Sequence, residues 1–402
     1  MTQLRIAGAL ALAGSLALSS AALAQKKYDT GATDTEIKVG QTIPLSGPAS
    51  AYGGIGKVQA AYIKMINEQG GVNGRKINLI QYDDAYNPPK TVEQIRKLVE
   101  SDEVLTTFQI IGTPPNAAVQ KYLNDKKVPQ LLAATGATRF TDPKNFPWTI
   151  AYNPNYQSEA HIYAKFILAN HPNAKIAILY QNDDFGRDFM KAFKDGLAEG
   201  GGKAMVVAEM PYELTDPSLD AQIIKLAQSG ADTFLNISLG KATAQAIKKI
   251  AEVGWKPLHL LVSVSASLPV LQAAGPDVAK DIVTAVYLKD MNSPQWQNDP
   301  AVKEFREFRV KYMPNVAADN SYAFAAWSQA VVLRKILERC GDELTHENLL
   351  KQALGIKGLA ARAFLPGVTY TMTSTDYSPV RTLYTQKFNG SDWELLDFRA
   401  TD

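Results

Sequence analysis

The sequence has one cysteine in 402 residues, Cys340, so no intrachain disulfide can form. Its four histidines (His161, His171, His259 and His346) are scattered without metal-ligand spacing, and each is expected at the surface or at a helix end. Neither Gly-x-Ser-x-Gly nor the phosphate-loop pattern Gly-x-x-x-x-Gly-Lys-Ser/Thr occurs, which removes two common routes to acyl and phosphoryl chemistry. Gly53-Gly54-Ile55-Gly56 and Gly200-Gly201-Gly202 are glycine-rich, but neither fits the dinucleotide fingerprint, and the second reads as a helix stop before a strand. An excess of one charge is also missing. With 42 basic and 40 acidic side chains, the surface carries no electrostatic footprint for nucleic acid or for an anionic membrane.

Long apolar runs are absent except at the start. Arg5 precedes an apolar stretch from Ile6 to Leu18, followed by the small-x-small sequence Ala22-Leu23-Ala24. This pattern predicts an export signal over residues 1–24 and a mature chain beginning at Gln25. The run is shorter than the roughly 20 residues of a membrane span, and an uncleaved anchor is the alternative reading. No cysteine follows the cleavage point, so no lipid is expected there. Cys340 sits in the helical pattern Val331, Leu333, Ile336, Leu337 and reads as a buried thiol.

The remaining chain, about 378 residues, exceeds what one hydrophobic core usually serves, and two domains are expected. Short β-rich runs alternate with amphipathic segments, the rhythm of βαβ units and of an α/β fold with mainly parallel sheets. Strands are expected at 36–43, 76–82, 105–111 and 128–133. Helices are expected between them, with Ile55, Val58, Tyr62, Met65 and Ile66 on the buried face of the first. Gly70-Gly71 stops that helix, and Pro89 suits the first turn of the next. A second series starts near Asn155, with strands at 175–180, 204–209, 233–237 and 258–262 and helices at 185–198, 218–228 and 243–253. From about Asp299 the pattern is helical to about Leu354, then β-like and polar to the end.

Two acidic pairs, Asp83-Asp84 and Asp183-Asp184, follow expected strands. They could serve catalysis or Mg²⁺, or they could cap the following helix. The other chemistry at strand ends is uncharged. Ser46 to Gly53 follows the first strand, Gly112-Thr113-Pro114 the third, and Ala134-Thr135-Gly136-Ala137 the fourth. Open α/β sheets bind ligands at these ends, and hydroxyls with backbone N–H groups can hold a carboxylate without a formal positive charge. Simple capping is the alternative for Ser50 and Thr113.

The ordered series Ile43-Pro44-Leu45-Ser46-Gly47-Pro48, Tyr52-Gly53, Ile66 to Gly74, Tyr82 to Ala85, Pro88-Pro89-Lys90, Ala134 to Ala137, Phe185-Gly186 and Asp195-Gly196-Leu197 resembles a known family. It is similar to the periplasmic solute-binding proteins of branched-chain amino acid (leucine/isoleucine/valine) ABC transporters, and to their aromatic-acid-binding subgroup. The resemblance implies a type I periplasmic-binding fold: two Rossmann-like lobes joined by a three-strand hinge. It places lobe one at 26–155 plus 286–360 and lobe two at 156–285 plus 361–402. It further implies a non-catalytic monomer without cofactor or metal, whose partners are a small organic acid and an inner-membrane ABC permease.

By resemblance, Tyr52, Gly112, Thr113, Ala134, Thr135 and Gly136 match positions that hold the ligand carboxylate. Phe185, Ser238, Leu239, Ser263 and Ser265 match the facing wall, and Tyr152 and Tyr322 are candidates for ring contacts, with hinge or core packing as the alternative. Amino-acid binders of the family place a glutamate after the strand ending near Val262, where this chain reads Val262-Ser263-Val264-Ser265-Ala266. Phe185 and Leu239 stand where tyrosines are expected, and Tyr86 and Ile111 stand near the places of a family disulfide. A buried ammonium without a counter-charge is costly, so the expected ligand is an aromatic acid or a 2-oxo acid. The alternatives are a branched-chain or other amino acid and an exported enzyme using the paired aspartates. A receptor's sensory domain would need a transmembrane segment that the pattern does not supply.

Overall fold

A computed structural model describes residues 26–315 and 321–401. The expected export signal and Gln25 lie outside the described residues. The two βα series build two sheets. The first has five parallel strands in the spatial order Lys76–Asp83, Glu36–Ile43, Thr106–Phe108, Gln130–Ala133, Thr149–Ala151. The second has seven, in the order Trp393–Thr401, Thr382–Phe388, Val283–Val286, Leu258–Leu261, Thr233–Ile237, Ile176–Gln181, Val206–Tyr212. In this sheet Thr382–Phe388 runs antiparallel to both of its neighbours and the other six strands share one direction. The fold is therefore the expected α/β type with mainly parallel sheets.

Every residue of Gln130–Ala133 and Thr233–Ile237 is buried, as strands covered by helices on both faces require. Several of the helices start where short polar side chains accept orphan N–H groups. Asn87 accepts from the Lys90 N–H ahead of Pro88–Glu100, Asn155 from the Gln157 N–H ahead of Tyr156–Asn170, and Asp183 from Phe185 and Gly186 ahead of Asp184–Glu199. Ser50 and Thr113 do not cap: Ser50 opens the 3-10 turn Ser50–Tyr52, and Thr113 is the first residue of Thr113–Asp125.

Several expected strands differ in their bounds, the strand expected at 128–133 running only as Gln130–Ala133 and that at 258–262 as Leu258–Leu261, and two of the differences have a visible local cause. The third spans only Thr106–Phe108 because Gln109 takes a φ of 51°, which breaks the ladder, and pairing resumes as the Ile111–Ala134 bridge. The strand expected at 204–209 runs as Val206–Tyr212, because Lys203–Met205 forms a 3-10 turn first. The late helical region resolves into Pro300–Tyr312, Ser321–Cys340 and His346–Leu354. Ser321–Cys340 packs on Gly53–Glu68, with Tyr62 edge-on to Trp327 at 6.4 Å between ring centroids.

The chain passes between the sheets after Thr149–Ala151, after Val283–Val286 and before Thr382–Phe388. These passages run side by side. The Lys289 N–H donates to the Ala363 carbonyl (2.7 Å), the Leu365 N–H to Tyr287 (2.9 Å), and the Tyr370 hydroxyl to Ala151 (3.3 Å). Tyr152 belongs to this bundle. It is fully buried, stacked on Tyr370 at 5.7 Å and tilted against Phe364 at 6.1 Å.

Cys340 is buried, as expected, with its thiol directed at the Ile336 carbonyl. Two histidines depart from expectation. His161 is buried in Tyr156–Asn170, and His259 is buried in Leu258–Leu261, where desolvation pushes its pKa down to about 3. Among the described residues no group of histidine, cysteine and acidic side chains could hold a metal ion, and no helix is long and apolar enough to cross a membrane.

Candidate functional site

The loops leaving the carboxyl ends of all but one of the parallel strands converge on one cavity of about 130 Å³. Tyr52, Ile55, Tyr86, Ile111, Gly112, Ala134, Asn153 and Tyr156 follow strands of the first sheet. Phe185, Leu239, Ser263, Val264, Tyr287 and Leu288 follow strands of the second, and Tyr322, Ala325 and Gln329 come from Ser321–Cys340. A smaller chamber of about 90 Å³ shares Ser263, Tyr287, Leu288, Tyr322 and Ala325 with it.

No charged side chain lines the main cavity, and six of its lining residues are aromatic. The Tyr52 and Tyr322 rings lie 5.3 Å apart, and both hydroxyls donate to the Val264 carbonyl, at 3.2 and 2.9 Å. Two residues carried by the first-sheet side are thereby bonded to a loop of the second. Phe185 meets Tyr156 edge-on at 5.2 Å. At Gly112, with φ 93°, the Tyr86 ring packs where a Cβ would sit, 2.2 Å from its nearest atom. Tyr86 and Ile111 thus both face the cavity.

Tyr52, Gly112, Ala134, Phe185, Leu239, Ser263 and Tyr322 are brought together as lining residues. Thr113, Thr135, Gly136, Ser238 and Ser265 do not line the cavity; they brace it. The Thr113 and Thr135 hydroxyls bond each other at 2.7 Å beside the Tyr156 phenol. Gly136 passes so close to Pro154 that a Cβ would stand 2.1 Å from its carbonyl oxygen. The Ser238 hydroxyl bonds the side chains of Asn236 and Thr243, and the Ser265 hydroxyl donates to the Ser238 carbonyl at 2.6 Å. Tyr152 is core rather than lining.

Directly behind Ser263 is an acid that sequence reading missed. Glu159, 1% exposed, accepts from the Ser263 N–H (2.7 Å), the Ser263 hydroxyl (2.7 Å) and the Tyr163 hydroxyl (3.1 Å). Burial pushes its carboxyl up to about 7, against the pull of those three donors. Glu159 lies more than a hundred residues before Ser263. Its only signal was an acid within the otherwise apolar face of an expected helix.

The four paired aspartates all have structural partners. Asp83 accepts from the Leu45, Ser46 and Ala85 N–H groups, from the Ser46 hydroxyl and from Lys90, so its carboxyl is held below the usual range although burial pushes it up. Asp84 accepts from the Tyr86 N–H and the Thr91 hydroxyl. Asp183 caps its helix, and Asp184 pairs with Arg139 at 3.2 Å. At the same rim, the Thr138 N–H and hydroxyl donate to Asp188, at 2.9 and 3.2 Å.

Two mainly parallel sheets present their strand ends to one shared, aromatic-lined cavity, an arrangement suited to holding a small molecule between them. The family model described as periplasmic binding protein matches residues 36–392, and the chain belongs to that family. It is 26% identical over 220 residues to the Leu/Ile/Val-binding protein homolog 3 of Brucella melitensis, an alignment that spans 54% of this chain and 58% of that protein. Among solved structures it resembles a branched-chain amino acid ABC transporter protein from Thermus thermophilus with bound valine (TM-score 0.82, 18% identity, 92% and 97% of the two chains). It also resembles a solute-binding protein of an ABC transporter from Rhodopseudomonas palustris in complex with 3,4-dihydroxybenzoic acid (TM-score 0.75, 21% identity, 91% and 97%).

Proposed function

We propose that the protein is the periplasmic substrate-binding component of an ABC uptake transporter, exported by a signal cleaved after Ala24, that closes two lobes around a small organic carboxylate. Lobe one comprises 26–155 plus 286–360 and lobe two 156–285 plus 361–402. The three side-by-side passages act as the hinge, and the closed form is what an inner-membrane permease receives. The ligand must favour that closed form, since equal affinity for both forms would shift nothing.

The observation that carries this reading is the cavity's lining: aromatic walls, no charged group, and amide donors of Asn153 and Gln329 that have no hydrogen-bond partner among the described residues. Its volume of about 130 Å³ suits one ring, since an apolar cavity of about 150 Å³ takes up benzene. Aromatic acids and 2-oxo acids fit best, in line with the dihydroxybenzoate held by the Rhodopseudomonas relative. A branched-chain amino acid is the second reading. It is favoured by Glu159, whose carboxyl stands one hydroxyl away from the cavity, and by the valine held in the Thermus protein.

A thermal-shift screen with benzoates, 2-oxo acids and amino acids, followed by calorimetry, tests both. Tight binding of a benzoate or 2-oxo acid with weak binding of leucine supports the first reading, and the reverse supports the second. Turnover of any bound compound would point instead to an enzyme.

A further inference from the structure

Four glutamines form a file that ends at the cavity. Gln81 in Lys76–Asp83 and Gln41 in Glu36–Ile43 are register partners. The Gln81 amide nitrogen donates to Gln41 Oε1 (2.6 Å) and to the Gly56 carbonyl (3.0 Å). That of Gln41 donates to Gln59 Oε1 (2.6 Å) and to the Gln109 carbonyl (3.4 Å). Gln59, in Gly53–Glu68, donates in turn to Gln329 Oε1 at 3.1 Å.

The direction of the file is fixed by chemistry. A backbone carbonyl can only accept, so the atoms of Gln81 and Gln41 that face Gly56 and Gln109 must be amide nitrogens. Gln59 then has only its oxygen for Gln41 and only its nitrogen for Gln329. Gln329 must spend its oxygen on Gln59, which leaves its NH₂ without a partner among the described residues. Gln41 and Gln59 are fully buried and Gln329 is 6% exposed. It lines the cavity. An unpaired buried amide donor costs stability, and each amide in the file polarises the next toward the cavity.

We infer that Gln329 receives the ligand's carboxylate, and that Gln59, Gln41 and Gln81 are positioning residues that hold its NH₂ toward the anion. This assignment rests on the reading that the ligand is a carboxylate, and it holds for an aromatic acid and for an amino acid alike. It supplies an anion site without a formal charge, matching a lining that contains no cation.

The test uses the mature chain and two acid–amide pairs in calorimetry, 3,4-dihydroxybenzoate with 3,4-dihydroxybenzamide and leucine with leucinamide. For whichever acid the unmodified protein binds, Gln329→Met should weaken the acid about tenfold or more while the amide changes by less than about threefold. Gln329→Glu should weaken the acid further, because it sets carboxylate against carboxylate. Gln59→Met does not touch the cavity and should lower the acid-to-amide preference in the same direction, by less. A merely structural role would weaken acid and amide together, and that outcome, or an unchanged preference in both Gln329 variants, overturns the assignment. An unmodified protein that binds none of the benzoates, 2-oxo acids and amino acids of the thermal-shift screen overturns the carboxylate reading and this assignment with it; another acid found in that screen is tested against its own amide in the same way, and a Gln329-independent preference overturns this assignment alone.

Discussion

Tyr322 donates its phenolic hydrogen to the Val264 carbonyl at 2.9 Å, and Tyr52 donates to the same oxygen at 3.2 Å. The donors belong to the first-sheet side and the acceptor follows a strand of the second, so the pair of bonds spans the cleft. Both tyrosine hydrogens are therefore spent on the Val264 carbonyl, while both residues line the cavity. In the proposed reading, their rings are what a ligand would meet.

Removing one of these bonds should loosen the closed form without changing the ring surface. Tyr322→Phe is expected to weaken ligand affinity about two- to tenfold, the worth of a net hydrogen bond of about 0.5–1.5 kcal/mol. Tyr52→Phe should do the same, and the double variant more. Calorimetry measures the loss, and stopped-flow should place it mainly in the dissociation rate. Unchanged affinity in the double variant would show that the Val264 bonds do not hold the cleft.

Gly112 is required by shape as well as by backbone. Its φ of 93° disfavours any side chain, and a Cβ would fall 2.2 Å from the Tyr86 ring. Gly112→Ala should therefore cost about 3 kcal/mol or more of stability, read from urea unfolding. Adding Tyr86→Ala removes the clash but not the backbone strain, so the double variant should regain only part of the loss.

The sheets were legible because buried parallel strands and amphipathic helices leave strong periodic signals, as at Thr233–Ile237, where expected and observed bounds agree. The cavity was legible only in part, because loops at strand ends can be located by counting but their side chains cannot be aimed. Ser238 and Ser265 carry hydroxyls that could have met a ligand, yet each finds a protein partner first. Leu239, between them, turns to the cavity. Glu159 and Gln329 escaped notice because their roles depend on contacts 104 and 270 residues away in sequence, which no local pattern encodes.

Cys340 offers a check on the packing of Ser321–Cys340. Burial pushes its thiol up to about 12, so the native protein should carry almost no thiolate at neutral pH and should resist a disulfide-exchange reagent. One equivalent should react once the chain is unfolded in guanidinium. Fast reaction of the native form would mean that this helix opens readily.

Glu159 gives the molecule a pH signature whose sign can be worked out. Its carboxyl titrates near 7 when folded and near 4.5 when exposed, so the folded state binds the proton more tightly. The stabilisation is complete below pH 4.5 and is lost as pH rises through 7, an interval worth about 3 kcal/mol. Glu159→Gln cannot titrate, so the stability of the native chain relative to this variant should fall by about that amount between pH 4.5 and 7 and then level off. The groups around the carboxyl (Tyr163 and Ser263, with Tyr156 and Tyr287 nearby) include no cation that would offset its charge. A bound carboxylate should therefore raise the Glu159 pKa further, and ligand binding near pH 7 should take up a fraction of a proton. Calorimetry in two buffers of different ionisation enthalpy measures that uptake directly, and Glu159→Gln should abolish it. Proton uptake that persists in the variant would place the titrating group elsewhere.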